Sequence, residues 1–102
     1  MLMYRPLSAE EKDSLLKLIK AEGEFIYKRN TISKSLIRIG ALLESTTLDC
    51  EEKIVSFNGI CEFPHKADEF PQSKAIGVYE GSAKMIGINE FELNNPITLK
   101  NR

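Results

Sequence analysis

Halfway along the chain the apolar residues change period, and this limits the architecture more than any other feature. From residue 8 to about 45 they recur at helical spacing, and from residue 53 they alternate or cluster in short β-rich runs. Segregated helical and extended segments imply an α+β domain rather than interleaved βαβ units. A chain of 102 residues suits a single domain.

The stretch PLSAEEKDSLLKLIKAEG marks both ends of a helix. Ser8 is a good N-cap, and Glu11 three residues on completes a capping box. Glu10, Glu11 and Asp13 favour the positive end of the helix dipole, Lys17 and Lys20 the negative end. Gly23 is a natural stop, and Leu15, Leu16, Leu18, Ile19 and Glu22 form one broad side. Further on, Phe25, Arg29, Ile32, Leu36, Ile39 and Leu43 step by four, three, four, three and four, the seam of a packed helix. Arg29 interrupts that seam and Asn30-Thr31 resembles a cap. The spacing therefore predicts either one helix over 24–45 or a break near Asn30 with the main helix at 31–45.

In the second half, KIVSFNGICEF reads as a hairpin turning at Asn58-Gly59, and KAIGVYEGSAKMIGI as another turning at Gly81-Ser82. EFEL alternates as a strand should. NNP reads as a turn and ITLK as a closing edge strand. The expected fold is thus two N-terminal helices, a helical hairpin over 8–45, packed on one face of a C-terminal antiparallel β-meander over 53–100.

Composition narrows the function classes. The apolar runs are too short to span a membrane, and MLMYRPLSAEE lacks the basic and apolar regions of a signal peptide. A cytoplasmic protein with no membrane partner is expected, and Cys50 and Cys61 then read as free thiols. Residues 1–43 carry eight Lys/Arg against five Asp/Glu, and residues 44–102 six against ten, an imbalance that can steer a charged partner. Lys28, Arg29, Lys34 and Arg38 form a basic stretch. In a chain of pI near 5.9 they read as a solvated helix face, so no nucleic acid is expected as a partner.

One segment repeats itself: EFPHKADEFPQ holds Glu62-Phe63-Pro64 and again Glu69-Phe70-Pro71, with the single histidine, His65, between them. Cys61-x3-His65 is half of a zinc pattern whose other half is missing, and a Cys61–His65 nucleophile pair has no orienting group in the local sequence. No metal or cofactor is expected. Proline limits pairing at both ends, so the segment reads as a surface connector or a recognition loop. The glycines at 77, 81 and 87 lack the context of a phosphate loop.

These readings favour a small non-enzymatic protein-binding module that inhibits or neutralises a partner, as immunity, antitoxin or anti-defence proteins do. The partner is expected to carry a basic surface. The residues expected to contact it are Glu62, Phe63, His65, Asp68, Glu69, Phe70 and Tyr79, the aromatic ones as anchors. The alternative is a small enzyme or ligand-binding domain with a site around Cys61 and His65. A homodimer through paired ITLK edges is a third arrangement.

Overall fold

The computed structural model describes residues 3–64 and 74–101. Among them lie one α-helix, one short 3-10 helix (Lys34–Leu36) and a nine-stranded mixed sheet. The elements run β1 (Tyr4–Pro6), α1 (Ala9–Glu22), β2 (Phe25–Tyr27), β3 (Asn30–Ile32), the 3-10 helix, β4 (Arg38–Leu42), β5 (Thr47–Asp49), β6 (Ile54–Pro64), β7 (Lys74–Gly87), β8 (Glu90–Leu93) and β9 (Ile97–Asn101). The strand order is β1-β5-β6-β7-β9-β2-β3, with β4 also on β6 and β8 also on β7. The expected pair of helices on an antiparallel meander is overturned. The second expected helix is replaced by the three strands β2, β3 and β4 with a 3-10 turn between them, and β2 runs parallel to β9.

The first helix forms as its end signals require. Ser8 Oγ accepts from the Glu11 N–H at 3.2 Å, and Glu11 Oε1 accepts from the Ser8 N–H at 2.9 Å. Glu11, Leu15 and Ile19 form the buried face. Gly23 ends the helix in extended rather than left-handed backbone. A side chain there would collide with the Ile19 carbonyl and approach the Phe25 ring to 3.0 Å.

The seam over 25–43 does not become a helix because its residues also satisfy a two-residue period. Phe25 and Tyr27 face the core on β2, and Ile26 between them is only half-buried. Lys28 and Arg29 both take positive φ, 48° and 69°, so a two-residue turn joins β2 to β3. That turn occupies the place where Arg29 interrupted the helical spacing. β-Branched Ile26, Thr31, Ile32 and Ile39 suit the strands they enter.

Neither expected hairpin turn exists. Asn58-Gly59 lies inside β6 and Gly81-Ser82 inside β7, and the two strands pair continuously from Ile54↔Lys84 to Pro64↔Lys74. The glycines serve close approach instead of a turn. Gly59 lies opposite Tyr79 and Gly81 opposite Phe57, and each glycine is covered by the ring across from it. A Cβ on Gly81 would lie 2.6 Å from Phe57 Cζ. Asn58 sits where β5 gives way to β4 along β6. Its carbonyl accepts from the Leu43 N–H at 2.8 Å, and its Oδ1 accepts from Ser45 Oγ at 2.8 Å. It thus supplies the bonds that neither strand provides at that gap.

β3 and β4 lie toward opposite margins of the sheet, yet residues 33–37 alone join them, a link of at most about 20 Å. The sheet must curl. Tyr27 meets Phe63 across the interior, with ring centroids 4.9 Å apart. α1 lies against β8 and β4. The core this encloses includes Leu15, Ile19, Phe25, Val55, Phe57, Phe63, Tyr79 and Ile97. β9 pairs with β7 on one side and β2 on the other, so ITLK is interior rather than a free edge. That removes the expected edge-to-edge dimer contact. No helix among the described residues is long and apolar enough to cross a membrane.

Candidate functional site

The molecule measures 47 × 23 × 22 Å, and the paired β6 and β7 run along its length. The chemistry collects at the two ends.

At one end the last described pair of the β6–β7 ladder is Pro64↔Lys74. His65, Asp68, Glu69 and Phe70, expected in a partner surface, lie outside the described residues. Glu62 is half-buried, aligned with Arg38 on β4 and 3.5 Å from Lys74 Nζ. Phe63 and Tyr79, expected as anchors for a partner, are 1% and 0% exposed. This corrects their assignment, because a ring without exposed surface cannot enter another protein's pocket. Phe63 packs against Tyr27 with the two rings tilted by 58°. Tyr79 lies on Gly59 and donates its hydroxyl to the Gly40 carbonyl at 3.0 Å. Burial pushes the Tyr79 phenol above its usual range.

Cys61 faces inward from β6, and burial pushes its thiol up to about 11. A thiol so placed is almost wholly protonated at neutral pH, the reverse of what a nucleophile needs. Beside it a cleft of about 300 Å³ is lined by Ser35, Leu36, Arg38, Glu62, Pro64 and Lys74 among others.

At the other end the β7–β8 turn, Ile88-Asn89, projects with Asn89 at φ 54°. Ile88 is 91% exposed and Ile86 57%. The Lys53 carbonyl accepts from the Met85 N–H at 2.8 Å, which brings the β5–β6 connection beside this turn. Glu51, Glu52, Glu90 and Glu92 are exposed around it. Asp49 Oδ1 accepts from the Glu51 N–H at 2.9 Å and the Glu52 N–H at 3.1 Å, which holds that connection in shape. A cleft of about 460 Å³ runs under the isoleucines, with Arg5, Glu11 and Lys53 in its lining.

Its polar wall is firmly built. Arg5 Nη1 and Nη2 reach Glu11 Oε1 and Oε2 at 2.8 and 2.9 Å, a bidentate pair that ties β1 to α1. The Arg5 hydrogen bond, with that from Ser8 N–H, holds the Glu11 carboxyl at about 2, against the opposing effect of burial. Tyr4 on β1 is 61% exposed and Ile54 on β6 38%, extending the apolar surface away from the turn.

Sequence reasoning misses Ile86 and Ile88 because a turn at Gly81-Ser82 leaves no turn at Ile88-Asn89, so nothing marks the strand end that exposes them. The signal that finds them is Asn89, a residue tolerant of positive φ, directly after an isoleucine. The sequence matches no protein-family model, and neither a curated protein nor a solved structure is significantly similar to it.

Proposed function

We propose that the protein is a non-enzymatic binding module that acts by occupying a partner protein, and that it does so through the acidic end of the sheet. The observation that carries this reading is the exposed pair Ile86 and Ile88 above a cleft, inside a rim where Glu51, Glu52, Glu90 and Glu92 outnumber Lys53 and Lys84. Apolar side chains this exposed, at a strand end and its turn, are costly to leave in water. The surrounding Glu51, Glu52, Glu90 and Glu92 favour a basic partner and speed its approach. The molecule's cross-section of 23 × 22 Å presents roughly 500 Å², less than the ~800 Å² per partner of a standard interface. The contact therefore extends along the flank that carries Ile54 and Tyr4.

The test is capture of a partner from the native cell with the tagged protein and with its Ile86→Asp/Ile88→Asp variant, both checked for unchanged circular dichroism. The expected result is one stoichiometric, basic protein that the variant loses and that high salt weakens. Equal capture by the variant, or no stoichiometric partner for the unaltered protein, refutes the proposal.

A further inference from the structure

The cations of this chain are scattered along the sequence, and the fold gathers them. Lys20 stands on the last turn of α1, Lys28 and Arg29 form the β2–β3 turn, and Lys34 opens the 3-10 helix. Arg38 opens β4 and Lys74 opens β7. The register brings these to one end. Arg38 aligns with Glu62, Lys74 with Pro64, and Tyr27, next to Lys28, packs on Phe63. The cleft beside Pro64 continues into a second of about 450 Å³, lined by Lys20, Lys34 and Ile39, and the two share Ser35, Ile37 and Arg38. Glu62, 3.5 Å from Lys74 Nζ, is the only carboxylate among the described residues of either lining, and it offsets one of these cations in part.

Several of these cations are oriented by neighbours. The Lys34 ammonium donates to the Ala21 carbonyl at the end of α1, and Lys28 Nζ lies 5.1 Å from the centroid of the Tyr27 ring. An ammonium has three donors, so one such contact aims the group without exhausting it. The β2–β3 turn adds an independent sign. Two-residue turns of this kind prefer Asn-Gly, because positive φ is unfavourable for a residue with a long side chain. This chain places Lys and Arg there, at φ 48° and 69°.

We propose that this basic mouth binds the phosphate backbone of single-stranded nucleic acid. A series of separated cations along two joined clefts suits a charged chain better than one compact anion. Exposed Leu36 and half-buried Ile39 give the bases an apolar wall. A duplex is stiff over far more than the width of this molecule and does not follow such a recess. At the opposite end Glu51, Glu52, Glu90 and Glu92 outnumber Lys53 and Lys84, so phosphates are less attracted there. The basic stretch therefore belongs to a larger cluster than its helical reading implied. The site is separate from the acidic surface, and neither proposal depends on the other.

The test is fluorescence anisotropy of a labelled oligothymidylate about twenty nucleotides long, long enough to cover an OB-sized site. About four phosphate contacts give a slope near −3 in log affinity against log salt. Affinity should then fall about fifty-fold between about 50 and 200 mM salt. The Lys20→Ala/Arg38→Ala/Lys74→Ala variant should bind at least about tenfold more weakly, with a slope nearer −1. Single Lys20→Ala and Arg38→Ala variants should each lower the slope by about 0.7, which tests the site even if the triple variant folds poorly. Lys53→Ala/Lys84→Ala at the opposite end should change nothing. Absence of binding at the lower salt overturns the proposal. So does equal binding of a duplex of the same length, equal competition by polyglutamate at matched charge, or equal loss in the Lys53/Lys84 variant.

Discussion

A methyl group added at Gly59 probes the centre of the core, because the Tyr79 ring occupies the space where the new Cβ would go. Tyr79 is fully buried, and its hydroxyl is bound to the Gly40 carbonyl on β4. The ring cannot yield without losing that bond. Overpacking of this kind costs about 1–3 kcal/mol and the hydrogen bond about 1 kcal/mol. Replacing glycine in a strand returns about 0.5–1 kcal/mol through the unfolded chain. Gly59→Ala should therefore destabilise by about 1–3.5 kcal/mol, a Tm drop of roughly 5–25 °C in a domain this small. Tyr79→Leu removes the outer ring atoms and the hydroxyl and should itself cost about 2–4 kcal/mol. In that background Gly59→Ala should cost almost nothing, for a coupling of about 2 kcal/mol. Urea unfolding followed by far-ultraviolet circular dichroism measures all four proteins. Additive costs within about 0.5 kcal/mol would show that Gly59 and Tyr79 do not share this space, and the argument about the strand interior would fail.

Two further outcomes follow from the ionisable groups. The Glu11 carboxyl is held at about 2 in the folded protein, below its ordinary 4.5, so its contribution is present above pH 4.5 and is lost as the pH falls toward 2. Screening through the half-exposed Arg5 limits that contribution to about 1–2 kcal/mol. Glu11→Gln should lower stability by this amount at neutral pH and flatten the acid limb of the stability curve, and an unchanged limb would reject the pairing. Buried Cys61 should resist a thiol reagent at pH 8 in the native protein and react once urea unfolds it, while half-buried Cys50 reacts sooner. Two equally fast native thiols would place Cys61 at the surface.

The first helix was readable because its signals are local. Ser8 and Glu11 lie three residues apart and satisfy each other's backbone whatever the rest of the chain does. The strand-forming character of 54–64 and 74–87 was readable from its composition for the same reason. The 25–43 segment was not, since Phe25, Ile32 and Ile39 fit a helical and an extended period alike. Of the expected contact residues, Phe63 and Tyr79 proved to be core, because an aromatic residue near a loop has the same local sequence whether its ring turns in or out.

The sequence alone therefore determined what depends on neighbours a few residues apart: one capped helix, a β-rich second half, and an uneven distribution of charge. Tertiary structure decided whether a glycine marks a turn or makes room for a ring, because that choice belongs to the strand opposite, about twenty residues away at Gly59 and Tyr79. It also decided which charges stand together. Curling of the sheet collects Lys20, Arg38 and Lys74 at one end and leaves Ile86 and Ile88 among carboxylates at the other, and no local pattern encodes that distance.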